Sequence, residues 1–180
     1  ALRAGKLARS LRESGLAVDW GRIVASDARE PADAVTGVSG LCMRPAPEVD
    51  TALREGGVPV VLGGDHTCAI GTWSGAANAL DPLGPLGLVW IDAHMDSHTP
   101  ATSHTGRLHG MPLAWLLGEL DDPLYGLAAG VVDPRHVCLV GVRSYEPEED
   151  ERLRRLGVRV VFMEEIRRRG IDAVLAEALD

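Results

Sequence analysis

Leu86-Gly87-Leu88-Val89-Trp90-Ile91-Asp92-Ala93-His94-Met95-Asp96-Ser97-His98-Thr99-Pro100 is the stretch on which the fold turns. Leu86 to Ile91 is an apolar run of strand length, and such a run reads as a strand covered on both faces. Past Ile91 the side chains become ligand types at alternate positions. Successive strand side chains point to opposite faces, so residues two apart share one. If the extended backbone continues, Asp92, His94 and Asp96 project together. Carboxylates gathered out of water repel each other and lose hydration unless a positive charge lies between them. A divalent metal is the natural counter-charge. The competing reading is a solvated polar loop that follows a strand.

A second stretch has the same plan. Val58 to Leu62 is an uncharged, β-branched run, Gly63-Gly64 lets the backbone turn sharply, and Asp65-His66 follows. Two neighbouring strands of a parallel sheet, each delivering His and Asp at its carboxyl end, make one site. That edge is where open α/β sheets place their ligands. His66, Asp92, His94 and Asp96 are therefore the candidate metal ligands. Their mixture of imidazole and carboxylate suits Mn, Fe(II), Co or Zn and not the thiolate class of soft metals. A carboxylate can also bridge two ions, and two close metals can share and deprotonate a water. His109, in His109-Gly110-Met111-Pro112, stands at a loop-to-helix junction. An imidazole with a near-neutral pKa can pass a proton to a leaving group. A helix-start histidine without a catalytic task fits the same residues equally well.

Outward from these stretches, strand and helix alternate. Residues 2–14 carry Leu2, Leu7 and Leu11 with Ala4 and Ala8 in a helical stripe, stopped by Gly15. Leu16 to Trp20 reads as a short strand, and residues 26–47, punctuated by Pro31, Gly37, Gly40, Pro45 and Pro47, as a long surface excursion. Glu48 to Glu55 is a short helix ended by Gly56-Gly57. Thr67 to about Leu80 is a helix of small residues, and 81–85 a turn. Residues 93–108 form a long polar loop, of a length that is usually functional. A helix from about Gly110 to Leu120 turns Leu113, Leu116 and Leu117 inward, and residues 121–135 are turn-like. Val137 to Val142 is a third buried strand. Pro147 opens the helix at 148–156 and Gly157 closes it. A fourth strand covers Val158 to Met163 and a last helix 171–179. The order predicts one three-layer α/β/α domain, residues 1–180, with a mostly parallel sheet.

Composition narrows the function classes. At 180 residues the chain is long enough for one domain with a real core. Its net charge of -8 and the lack of a basic stripe argue against nucleic acid. The run Arg167-Arg168-Arg169 follows Glu164-Glu165 and reads as a solvated helix face. No apolar run reaches the roughly 20 residues of a membrane helix, and no signal peptide is visible. Cys42, Cys68 and Cys138 lack zinc-finger spacing and read as reduced core thiols of a cytoplasmic protein. The chain starts at Ala1 inside a helical pattern and stops at Asp180 straight after another, which leads us to expect a partial chain.

At this point the residues carry a resemblance. Gly63-Gly64-Asp65-His66-Thr67, Trp90-Ile91-Asp92-Ala93-His94-Met95-Asp96, Thr99-Pro100 and Thr105-Gly106-Arg107-Leu108-His109-Gly110-Met111-Pro112 resemble the ureohydrolase family. The Thr-Pro after the metal motif and the Leu-His-Gly-Met-Pro run are similar to the arginase branch, whereas agmatinases usually have a Tyr shortly after this motif. The resemblance implies an arginase-like fold and a binuclear manganese hydrolase that splits a guanidinium into urea and an amine, through a hydroxide bridging the metals. By matching positions, His66, Asp92 and Asp96 serve one ion, and Asp92 with His94 the other, two Mn2+ per complete site. His109 falls at the proton shuttle. The 98–107 loop matches the segment that holds the substrate's α-carboxylate, which brings in His98, Ser103, Thr105 and Arg107. Glu146 and Glu149 fall where acidic residues recognise the α-amino group, although the helix dipole alone also favours acidic side chains there. The family resemblance further implies a homo-oligomer.

Two departures keep alternatives open. His98 and Arg107 stand where arginases commonly have Asn. L-arginine leads as substrate, and agmatine, an ω-guanidino acid or a formimino compound remains open, because Arg107 can grip a carboxylate bidentately. The family's first strand and its later aspartate-paired strand have no counterpart in these residues. A non-catalytic, truncated metal-binding fragment is therefore the reading of a different class.

Overall fold

The computed structural model describes residues 6–24, 40, 42–120 and 130–179. Its sheet has three parallel strands, β1 (Leu88–Ile91), β2 (Val137–Val142) and β3 (Arg159–Phe162), in the order β1-β2-β3. Around it lie α1 (Leu7–Glu13), α2 (Ala46–Arg54), α3 (Cys68–Leu80), α4 (Pro112–Leu116), α5 (Pro147–Leu156), α6 (Met163–Arg169) and α7 (Ile171–Leu179).

Every residue of β2 is buried, as the unbroken apolar run requires of a central parallel strand. Val137 and Leu139 pack with Trp115 and Leu116 of α4 and Leu153 of α5. Cys138 and Val140 face the other way, with Val161 of β3 and Val174 of α7. Helices thus cover both faces, and the layered α/β/α architecture with a parallel sheet agrees with the sequence. The alternation breaks at Gly141. The β2–β3 register slips between Val140 and Val142, and Val142 joins the same cluster as Leu139. Gly141 sits at φ +100°, and a Cβ there would come 3.3 Å from the Asp92 carbonyl oxygen. The bulge therefore lets the carboxyl end of β2 press against the backbone of Asp92.

α5 begins and ends as its sequence dictates. Pro147 takes the first position, where no N–H is needed, and Gly157 closes the helix in a left-handed conformation. Glu146 and Glu149 form a reciprocal capping box over the first turn. α2 and α3 cross closely because α3 carries glycine at its contact with α2. A Cβ on Gly75 would meet the Ala46 carbonyl oxygen at 2.3 Å.

Three elements differ from the sequence expectation. Leu16 to Trp20 forms no strand; Leu16 and Trp20 are exposed, and among the described residues no strand lies beside this segment to pair with it. Val58 to Leu62 forms no strand either. Pro59 lacks an N–H donor, and among the described residues β1 pairs with β2 alone, so the two motif-bearing segments are not neighbours in one ladder. Val58 is 88% and Val60 78% exposed. The helix expected from Gly110 to Leu120 is one short α-helix, Pro112–Leu116, preceded by a 3-10 turn at Leu108–Gly110. Leu113, Leu116 and Leu117 are nevertheless buried as expected. Most of the 26–47 excursion and of the 121–135 turn lies outside the described residues.

Two measurements check this packing. An alanine normally stabilises a helix interior over glycine by about 1 kcal/mol. Gly75→Ala should instead lower the denaturation midpoint, because the new methyl group meets the α2 backbone. Asp133 caps the turn at Pro134–His136, and hydrogen bonds from the Arg135 side chain and amide hold its carboxyl at about 2. A folded pKa below the unfolded one means stability present in full above about pH 4 and lost as pH falls towards 2. An NMR titration of Asp133 should show that low midpoint, and Arg135→Met should return it towards the ordinary carboxylate range.

Candidate metal centre

β1 ends at Ile91, and the backbone then leaves the strand. The Asp92 amide still donates to the Val140 carbonyl (3.1 Å), and the Arg143 and Ser144 amides donate to the Ala93 carbonyl (2.9 and 3.0 Å). These bonds tie the segment after β1 to the carboxyl end of β2. The chain then bends, and Asp96 adopts φ +49°, a left-handed conformation that non-glycine residues seldom take. The sequence expectation of a continuing extended strand is thus corrected: the side chains of Asp92 and Asp96 meet through a bend and a left-handed turn, not through alternation.

They meet at His66. Its Nδ1 lies 2.7 Å from Asp92 Oδ2 and 2.7 Å from Asp96 Oδ2. One ligand atom from each of the three residues falls within 4.8 Å of the others, as a divalent ion needs. The Asp92 side chain is 14% and that of Asp96 7% exposed. Burial pushes the Asp96 carboxyl above the ordinary aspartate range; the His66 contact opposes this shift, and the nearby Asp92 charge adds to it. A cation between the oxygens would reverse that penalty, so the donor set fits a hard or borderline divalent metal. The His66 ring is braced edge-on against Trp90 of β1, with centroids 5.0 Å apart.

The same open cavity is lined by Asp65, His66, Asp92, His94, Asp96 and His109. His94 is at the rim, exposed, with Nδ1 3.4 Å from Asp92 Oδ1. His109 Nδ1 lies 3.9 Å from Asp65 Oδ2. Burial works to raise the Asp65 carboxyl, but hydrogen bonds from the Thr67 hydroxyl and amide outweigh it and leave it below the ordinary range. An ionised Asp65 can thus orient the His109 ring. Asp65 was not singled out from the sequence as a site residue, although it stands beside His66 in the glycine motif.

The residues assigned to the far end of a substrate separate into two groups. His98 is buried, with Nε2 3.0 Å from Glu146 Oε2 and 3.5 Å from Glu149 Oε2, so these three form a second cluster. The His98 contact holds the Glu146 carboxyl below its ordinary range, while burial raises that of Glu149. Ser103 Oγ accepts from the Gly106 amide (3.0 Å) and Thr105 Oγ1 from the Arg107 amide (3.3 Å), so both hydroxyls shape their own loop. Arg107 is exposed on that loop.

Two closely set aspartates facing a histidine at the carboxyl edge of a parallel sheet make a candidate metal site in an α/β protein. The Arginase family model matches residues 5–180. The arginase of Bacillus caldovelox is 40% identical over 136 residues, covering 74% of this chain and 44% of its own length. The arginase of Bacillus subtilis is 41% identical over 137 residues, covering 75% and 45%. A crystal structure of arginase from Bacillus subtilis superposes with a TM-score of 0.86 at 34% identity, over 99% of this chain and 60% of that one. The chain belongs to the arginase family, and it spans less than half the length of the curated relatives it matches.

The geometry gives a test with two opposite signs. Asp96→Asn removes one of two crowded, buried carboxylates, so the metal-free variant should melt higher than the unaltered protein at neutral pH. The same change should weaken divalent-metal binding at least about 10-fold, since a charged ligand is lost. Thermal melting without metal and calorimetric titration with Mn2+ measure the two effects. A variant that binds metal normally would remove Asp96 from the ligand set.

Proposed function

We propose that the protein hydrolyses the guanidinium group of L-arginine to ornithine and urea in a manganese-dependent reaction. The observation that carries this reading is His66 Nδ1 held 2.7 Å from both Asp92 and Asp96 at the sheet edge, in a chain of the arginase family. His66, Asp92 and Asp96 would hold one Mn2+, and Asp92 with His94 the second. When bound there, the metal pair supplies Lewis acidity and lowers the pKa of a water, so that a nucleophile exists at neutral pH.

The chain's own residues do the rest. The planar guanidinium approaches the cavity floor formed by Asp92 and Asp96. His109, at the rim and beside Asp65, passes a proton to the departing amine, and Asp65 keeps the ring oriented. Glu146 is half exposed and held ionised by His98, which suits recognition of a cationic α-amino group. Arg107 on the exposed 98–107 loop suits the substrate carboxylate, with the Ser103 and Thr105 hydroxyls shaping that loop. His98 and Glu149 take their places around this end as the partners of Glu146.

No helix among the described residues is long and apolar enough to cross a membrane. The free thiols of Cys42, Cys68 and Cys138 support a cytoplasmic location. A homo-oligomer is proposed on the family resemblance alone.

Urea release from L-arginine with added Mn2+ tests the proposal. Urea should appear, stop on chelation and return when Mn2+ is restored. His109→Ala should lower kcat by roughly 10²–10⁴-fold if the imidazole transfers a proton in the transition state. Release from agmatine or an ω-guanidino acid in preference to arginine would move the substrate assignment. Absence of urea from all of them with Mn2+ bound would contradict hydrolysis by this protein.

A further inference from the structure

We propose that Glu149 and Arg152, one turn apart on α5, clamp the Ser97 peptide from both sides and thereby fix the left-handed turn that aims Asp96 at His66. The Ser97 amide donates to Glu149 Oε1 (3.1 Å), and Arg152 Nη1 donates to the Ser97 carbonyl oxygen (2.6 Å). Residues three apart in a helix lie on one face, so one surface of α5 presents an acceptor and a donor to a single residue. Ser97 is fully buried and Glu149 is 3% exposed, so water is kept from the bond between them, while the Arg152 bond is partly buried.

The residue just before the clamp is the one that needs it. Asp96 has φ +49°, and among the described residues no other non-glycine residue has a positive φ. Such a conformation persists only where the surroundings over-determine it. The Asp96 carbonyl accepts from the Leu113 and Ala114 amides at the start of α4 (2.9 and 3.4 Å), and the His98 amide donates to the Gly110 carbonyl (3.0 Å). With Ser97 held by α5, the main chain from Asp96 to His98 is anchored to two helices, while the Asp96 carboxylate is left to His66.

The clamp also accounts for Glu149. Its second oxygen accepts from the Glu146 amide (3.1 Å), so both oxygens serve backbone N–H groups. Glu149 is thus a positioning residue, acting on the metal ligand through the Ser97 peptide. Arg152 is kept in place by Glu119, whose Oε2 lies 3.5 Å from Arg152 Nε and also pairs with Arg155. This arrangement rests on the metal reading of the site given above.

The test is Mn2+ affinity by titration calorimetry, which needs no turnover. Arg152→Met keeps the stem of the side chain and removes the donor to Ser97. Its Kd for Mn2+ should rise about 10–100-fold, the size of effect expected when a group that orients a ligand is lost. Arg154→Met, which breaks the exposed pair with Asp150 on the same helix, should leave Kd unchanged. Arg152→Lys, which keeps a donor, should recover part of the loss. If Arg152→Met fails to fold, Glu149→Gln reads the other half of the clamp and should weaken Mn2+ binding in the same direction. Unchanged Kd in a folded Arg152→Met or Glu149→Gln overturns the clamp alone. Failure of the unaltered protein to take up Mn2+ overturns the metal reading, and the clamp with it.

Discussion

Two aspartates share one imidazole nitrogen, and the surrounding structure has to make that tolerable. At separations within 4.8 Å, two like charges repel by roughly 3–4 kcal/mol at an effective dielectric near 20. Burial of both side chains adds desolvation to repulsion, which is why the Asp96 carboxyl is driven upward. Such a pair is worth keeping only where a cation compensates it. The crowding of charge and the proposed role are therefore one constraint: the groups whose proximity strains the fold are the candidate ligands of a cation.

The backbone devices around the pair follow from that constraint. The bulge at Gly141 brings β2 against the backbone of Asp92. The left-handed turn at Asp96 swings the second carboxylate back towards the first. α5 stabilises that turn from the opposite side of the Ser97 peptide, and its own capping box uses the same Glu149. Packing of Leu153 beneath α5 and of Trp115 and Leu116 beneath α4 fixes the two helices against β2, so their polar ends are placed by an apolar core.

Much of this was legible in the sequence. β2, with its unbroken apolar run between turn residues, and α5, with Pro147 before and Gly157 after, lie where local chemistry puts them. The ligand-type residues His66, Asp92 and Asp96 could be named because carboxylates and histidine have little reason to crowd the end of an apolar strand. What stayed hidden was long-range or conformational. Val58 to Leu62 has strand composition, but composition does not say whether a neighbour exists to complete the ladder. Alternation pointed to Asp92 and Asp96 sharing a face, yet they converge through a left-handed residue that no pattern announces. Arg152 reaches Ser97 across 55 residues, and no linear signal connects them.

The most direct test of the account is crystallographic: anomalous diffraction at the manganese edge from the protein equilibrated with Mn2+. A peak is expected that is bounded by His66 Nδ1 and the carboxylates of Asp92 and Asp96. A manganese peak found solely at the other cluster, His98 with Glu146 and Glu149, or no peak at either, would contradict it.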